Sequence, residues 1–304
     1  MSPHDPNPDP LLTEEVWWNR YGDLHERIWR YNDELNQMVR GRYLAEMEQF
    51  LFKPGGTVLD FGCGTGWVGL RLAQKGMSLV GIDLSGEQIA RAWENARRLG
   101  VSSAWFIQGG TDQIREKESY DGVILHALLH HLSNKEKGIL FRRLDWALVT
   151  GGRIYAYEPI AARPNPPLSA WLVDKGLLLL LHLLRILVYR LNIQEPDVRE
   201  AIQEGWTMQS PNEAPIRLER LLTFLPEALT ITGITYWHMS AVAYANLSMG
   251  LCPRWRKVAI RLMPLFLAID TFVLQKPWRF YLKAWPMAGI RMQKGPSVQA
   301  HMVS

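Results

Sequence analysis

"VLDFGCGTGW" occupies residues 58–67 and sets three glycines at alternate positions directly behind two aliphatic residues and an aspartate. Glycine inside a helix or strand costs roughly 0.5–1 kcal/mol relative to alanine. Three so close together mark a place where the backbone path or a close neighbour forbids side chains. "TVLD" (57–60) reads as a short buried strand and "WVGLRLAQKG" (67–76) as a helix closed by Gly76. A strand that turns on glycines into a helix brings the unpaired N–H groups of the helix start to the turn. A purely structural turn needs one or two glycines, so three argue for a ligand lying against the backbone. A dinucleotide fingerprint requires G-x-G-x-x-G. Its third glycine would fall at position 67, which is Trp67.

Outward from this turn the chain alternates strand and helix. "MSLVGIDLS" (77–85) is a second strand, and Ser85 caps the next helix with Gln88 as its box partner. "SAWFIQGG" (103–110), "YDGVILHAL" (120–128) and "GGRIYAYEPI" (151–160) are strands three to five, with "KGILFRRLDWALVT" (137–150) a helix between the last two. Strand and helix at this pitch mean βαβ units, a parallel sheet, and a ligand edge at the strand C-termini. Residues 12–52 carry apolar positions at helical spacing and form an N-terminal helical cap behind a disordered tail, 1–11. Residues 53–160 are the α/β core. Residues 161–304 complete the sheet with "LTITGITYW" (229–237) and "AWPMAGIRMQK" (284–294), and carry two apolar helical insertions at about 161–212 and 240–283.

The 304 residues, 47% hydrophobic and 21% charged, suit a globular chain with ample core. From residue 151 onward there are 17 Lys/Arg against 10 Asp/Glu, and residues 251–304 hold nine bases against one acid, Asp270. A basic segment lying among apolar runs suits either a solvated face or an anionic membrane surface, and it lacks a nucleic-acid reading motif. Cys63 and Cys252 form neither a disulfide framework nor a metal-ligand spacing. With no signal-peptide pattern at "MSPHDPNPDP", the expectation is an intracellular, cytoplasmic protein with at most peripheral attachment to the inner membrane face. "GLLLLLHLLRILVYRL" (176–191) and "VAIRLMPLFLAIDTFVL" (258–274) are interrupted by charge or proline and read as buried or interfacial helices.

Asp83 ends the second strand 17 residues past Gly66, where a carboxylate can accept both hydroxyls of a ribose. With that residue in place, "VLDFGCGTG", "LVGIDLS", "YDGVILHALLHHL" and "GGRIYAYEP" resemble, in order and spacing, the motifs of class I S-adenosylmethionine-dependent methyltransferases. The resemblance covers residues 57–160 and implies a Rossmann-like sheet of seven strands, the last antiparallel. It implies that Asp60 and the loop Gly62, Cys63, Gly64 and Gly66 flank the methionine part of S-adenosylmethionine, that Asp83 holds the ribose, and that Leu84 lies on the adenine. It also implies that His126 sits near the methionine end and that Tyr21 belongs to an N-terminal helix folded over the cofactor. The family's acid after the third strand is missing, and Gly110 and Thr111 take its slot with Asp112 displaced. "WWNRYGDLH" (17–25) is similar to quinone-biosynthesis O-methyltransferases over that short stretch.

His130 and His131, in "LLHHL", are candidate bases for an oxygen or nitrogen nucleophile, against a packing role. Glu158, at the end of strand five, is a candidate substrate contact, against a structural pairing. No metal is expected. The resulting expectation is a methyltransferase acting on a small, largely apolar acceptor of natural-product, quinone-like or lipid type, with oxygen ahead of nitrogen or carbon. Two alternatives stand beside it: a lipid methyltransferase docked on a membrane, and a non-catalytic scaffold that keeps the fold.

Overall fold

The computed structural model describes residues 14–22, 34–190, 212–248, 251–283 and 286–296. The expected tail, 1–11, and the stretch 191–211 of the first insertion lie outside the described residues. Seven strands form one sheet: β1 (Thr57–Phe61), β2 (Ser78–Asp83), β3 (Ala104–Gln108), β4 (Tyr120–His126), β5 (Leu148–Pro159), β6 (Leu229–His238) and β7 (Met287–Lys294). Their order is β3-β2-β1-β4-β5-β7-β6. The first five run parallel, and β7 is antiparallel to both of its neighbours. The order reverses between β1 and β4, and that reversal opens a crevice beyond their C-terminal ends.

A parallel sheet is covered on both faces, so its strands are apolar on both sides. Leu59, Val123, Leu125 and Ile154 meet Leu140, Phe141 and Leu144 of α5 (Asn134–Ala147). On the opposite face Val58, Leu79, Ile124 and Tyr155 meet Tyr43, Met47 and Leu51 of α2 (Glu34–Leu51) together with Ala92 and Ala96 of α4 (Gly86–Arg98). The remaining helices are α1 (residues 14–22), α3 (Gly69–Ala73), α6 (Leu168–Arg190), α7 (Leu218–Leu222), α8 (Ser240–Ser248) and α9 (Pro253–Leu274).

The start of α2 joins α8 and α9 in a separate helical core around Leu35, Val39, Tyr244, Met263 and Phe266, with Leu184 and Val188 of α6 against it. Asp270, which breaks an apolar run in the sequence, is buried there and caps α8. Its carboxylate accepts from the N–H groups of Met239, Ser240 and Ala241 at 3.0, 2.8 and 3.0 Å and from the Ser240 hydroxyl at 2.6 Å. A carboxylate at a helix N-terminus satisfies orphan donors and complements the dipole. Glu46 of α2 performs a similar service across layers. It accepts from the Tyr155 hydroxyl (2.8 Å), the Thr235 hydroxyl (2.7 Å) and the Trp237 indole N–H (3.0 Å), and pairs with Arg291 at 3.4 Å. That one carboxylate ties α2 to β5, β6 and β7.

Two local expectations are corrected. Helix α5 begins at Asn134, not 137, because Ser133 and Glu136 form a full capping box, and β5 begins at Leu148. Ser85 caps α4 by accepting the Gln88 N–H, but the reciprocal half of that box is taken by Asp83, which accepts the Ser85 N–H at 2.9 Å. Among the described residues, no helix is long and apolar enough to cross a membrane.

Candidate active site

Beyond the C-terminal ends of β1, β2 and β4 lies a cavity of about 400 Å³, within the range of roughly 300–1,000 Å³ usual for small-molecule sites. Asp60, Gly62, Cys63, Gly64, Asp83, Leu84, Gly110, Thr111, His126 and His131 all line it. Four residues expected at the site lie outside its lining: Tyr21, Gly66, His130 and Glu158.

The glycine turn is built as its spacing suggests, with one division of labour. Gly62, Gly64 and Gly66 take φ of +76°, +51° and +75°. A Cβ on Gly66 would meet the Phe106 ring at 2.9 Å, so that glycine serves packing. A Cβ on Gly64 would find Gln88 Oε1 at 3.6 Å and otherwise the cavity, so this glycine keeps the wall bare. Asp83 holds the loop from below. One oxygen accepts the Gly64 N–H at 2.8 Å and the other the Ser85 N–H at 2.9 Å. Each oxygen keeps lone-pair capacity toward the cavity, enough to receive two hydroxyls. Burial raises the Asp83 carboxyl pKa, and the two backbone donors partly offset it. Burial, with the Asp83 and Asp60 charges, pushes the Cys63 thiol well up, and Cys63 lines the cavity wall.

Asp60 is the most perturbed acid in the corner. It is 1% exposed, and one oxygen accepts the Gly69 N–H at 3.0 Å. The other oxygen is buried without a hydrogen-bond partner. Burial, aided by the neighbouring Asp83 charge and opposed by the Gly69 N–H, raises its pKa to about 7. A buried carboxylate with an orphaned oxygen is a receptor for a cation.

The opposite wall is aromatic. Tyr43 stacks on Tyr157 at 3.8 Å, its hydroxyl is 2.9 Å from His126 Nε2, and Trp67 stands edge-on to His126 at 5.3 Å. Burial and the Arg40 charge lower the His126 pKa to about 3, so this imidazole is neutral. Tyr43 and Arg40 belong with Asn36 and Val39 to one face of α2, at spacing i, i+3, i+4, i+7, and all four line the cavity. No single motif marks this face in the sequence; its signal is the helical spacing of 36, 39, 40 and 43. Beyond β3, Asp112 is exposed and accepts from the Gln113 amide at 2.6 Å, so Leu84, Gly110 and Thr111, where the resemblance expects adenine, form that wall without an acid.

The two histidines divide. Glu158, 0% exposed, accepts the N–H groups of Leu128 (2.9 Å), Leu129 (2.7 Å) and His130 (3.4 Å), and His130 Nδ1 donates to it at 2.7 Å. This buried pair fixes the turn 129–131 and turns His130 away from the cavity. His131 faces the cavity, with Nδ1 3.5 Å from Glu14 Oε2 on α1. Burial lowers the His131 pKa, but the Glu14 pairing and the charges of Glu14, Glu213 and Glu158 outweigh it, and the net shift is upward. Ligand atoms of His130, His131 and Glu213 lie within 4.8 Å of one another, close enough to share a metal ion. α1 covers this end through Glu14 and Trp18, both lining the cavity, and through Asn19, which accepts from the Ser85 hydroxyl at 2.7 Å. Tyr21 packs beside Trp17 at 5.6 Å instead of entering.

Comparison with known proteins agrees with this geometry. The profile of a family described as "Methyltransferase domain" matches residues 58–152. The chain is 30% identical over 135 residues to phosphoethanolamine N-methyltransferase 1 of Arabidopsis thaliana, covering 43% of this chain and 27% of that protein. It is 27% identical over 124 residues to the ubiquinone biosynthesis O-methyltransferase of Rickettsia akari, covering 41% and 48%. The chain thus spans about a quarter to a half of the length of these relatives. Among solved structures, the [4+2]-cyclase SpnF shares the fold, with a TM-score of 0.60 and 16% identity over 93% of this chain and 95% of that one. The donor set also passes a chemical test for S-adenosylmethionine: the orphaned Asp60 oxygen suits its ammonium, and the lone pairs of Asp83 suit its ribose hydroxyls. Residues 58–152, which carry the glycine corner and strands β1 to β4, thus match a methyltransferase domain, and the donors of the corner suit S-adenosylmethionine as its cofactor.

Proposed function

We propose that the protein transfers the methyl group of S-adenosylmethionine to a small, largely apolar molecule, with oxygen the favoured acceptor over nitrogen or carbon. One observation carries the reading: a single cavity joins the glycine-and-carboxylate corner to a chamber walled by Tyr43, Trp67, Ile139, Tyr157, Val242 and Ala245. The insertions contribute to that chamber through α8. When bound, the cofactor supplies an electrophilic methyl group for in-line displacement. What this chain adds is chiefly position. Asp60, Asp83 and the Gly62–Gly64 backbone hold one reactant, and the aromatic wall orients the other while excluding water. Holding two reactants collinear can lower such a barrier by ~7–11 kcal/mol.

His131 supports the preference for oxygen. A hydroxyl acceptor must lose its proton as it attacks, and His131 is an imidazole on the cavity wall, held by Glu14. His130 and Glu158 act as positioning residues for the turn that carries it. The two relatives named above methylate nitrogen and oxygen respectively, by their names, so the preference for oxygen rests on His131 alone. Calorimetry with S-adenosylhomocysteine, then a product screen with isotope-labelled methyl donor over phenolic, amine and lipid acceptors, tests the proposal. Absence of binding at millimolar ligand refutes it and leaves a scaffold. Labelled amines without labelled phenols or other hydroxyl compounds would move the acceptor to nitrogen.

A further inference from the structure

We infer that α6 and α9 form a docking face for an anionic membrane surface, on which the protein lies without spanning it. Of the nineteen large apolar side chains that are exposed among the described residues, twelve lie on these two helices. On α9, Trp255, Val258, Leu262, Leu265 and Phe272 follow one another at intervals of three, four, three and seven, which makes a single stripe along the helix. The buried stripe of the same helix, Ala259, Met263, Phe266 and Asp270, faces the core. On α6, Leu168, Trp171, Leu172, Leu179, Leu183 and Leu187 form a second exposed row. Exposed apolar area of this extent, concentrated on neighbouring elements, marks an interaction site.

The charges beside the stripes select the occupant. Arg254, Lys257 and Arg261 each precede a stripe residue and stand exposed along one edge of it. Lys276 lies 5.7 Å from the Phe272 ring centroid, and Lys175 and Arg185 are exposed on α6. The only acids of the two helices are buried in structural work: Asp270 caps α8, and Asp174 accepts the Lys283 N–H at 2.7 Å. Neither helix exposes a carboxylate. A second copy of the chain, related by a two-fold axis, would bring this basic edge against itself. An anionic lipid surface neutralises it while the apolar stripe enters the acyl boundary, the arrangement of interfacial helices. α8, whose Val242 and Ala245 line the cavity, packs against both α6 and α9, so the docking face backs directly onto the chamber.

Co-sedimentation of the full chain with phosphatidylcholine vesicles, with and without phosphatidylglycerol, tests this. Binding is expected to the phosphatidylglycerol vesicles alone and to weaken at high salt. With each base near the surface contributing about equally, the triple variant R254E/K257E/R261E should lose at least about a hundredfold in partitioning, and L262E/L265E should abolish it. S-adenosylhomocysteine affinity, measured on both variants, reports their folding and is expected to stay unchanged, so the outcome is separate from the methyltransferase reading. No binding to phosphatidylglycerol vesicles at low salt overturns the inference. So does a wild-type dimer in solution that L262E/L265E converts to monomer, because the face would then be covered by a second copy.

Discussion

Lowering the pH from 8 to 6 is expected to weaken S-adenosylhomocysteine binding about tenfold, through one carboxyl group. Asp60 is fully buried, and its pKa is raised from the ordinary 3.8 to about 7. Its orphaned oxygen attracts an ammonium only when ionised. A midpoint near 7 leaves about nine-tenths of the carboxyl ionised at pH 8 and about one-tenth at pH 6, a tenfold change worth ~1.4 kcal/mol. The direction follows from linkage. A bound cation pulls the raised pKa down, so the complex gains as pH rises through 7. The ligand-free fold behaves oppositely: the Asp60 contribution to its stability is complete below the unfolded-state pKa and is lost as pH rises through about 7. Calorimetry at pH 6, 7 and 8 reads the affinity. Adenosine, which has the ribose but no ammonium, serves as the control and should show little of this dependence. Asp60→Asn should be flat over the range and, at pH 8, at least as weak as the wild type at pH 6. Wild-type affinity that is level from pH 6 to 8 would refute the placement of the ammonium at Asp60.

Further outcomes follow from the same corner. Asp83→Ala should weaken S-adenosylhomocysteine binding by roughly 1–3 kcal/mol, because it strands the ribose hydroxyls and the Gly64 and Ser85 N–H groups together; unchanged affinity by calorimetry would mean the ribose lies elsewhere. His131→Ala should lower turnover while sparing cofactor affinity, and wild-type turnover should rise with pH through a midpoint above 6.5, the ordinary histidine value. Glu14→Gln should move that midpoint down; a profile that stays in place, or turnover lost to EDTA and restored by a divalent cation, would reassign the cluster. Glu158→Ala should destabilise the fold by about 3–5 kcal/mol in urea unfolding, since it removes a buried partner from the His130 ring and from three backbone donors. A loss below about 1 kcal/mol would show that the turn 129–131 is held by other contacts.

The sheet was legible because its strands are short apolar runs bounded by glycine, proline or a capping serine, and because the ribose acid and the glycine turn are each local patterns. "TVLD" and "LVGID" needed no tertiary information to be read as strands delivering Asp60 and Asp83 to one edge. The chamber was less legible because its walls come from far apart in the chain. Glu14 meets His131 across more than a hundred residues, and Tyr43 meets His126 across 83. Local patterning gives no sign of such pairings. Asp270 was misleading for the opposite reason: its charge interrupts an apolar run, yet its partners are the N–H groups of another helix. Adjacent His130 and His131 look equivalent in sequence, and the carboxylate beneath one of them decides which faces the cavity.

The Glu46 hub gives α2 two separate jobs on two separate turns. Residues 36, 39, 40 and 43 shape the chamber, while the carboxylate at 46 rivets the helix to the antiparallel edge of the sheet. Selectivity can therefore drift, or be engineered, by exchanging the inward side chains without loosening the beam that carries them. Descendants with new substrates would be expected to differ at 36, 40 and 43 and to keep the rivet.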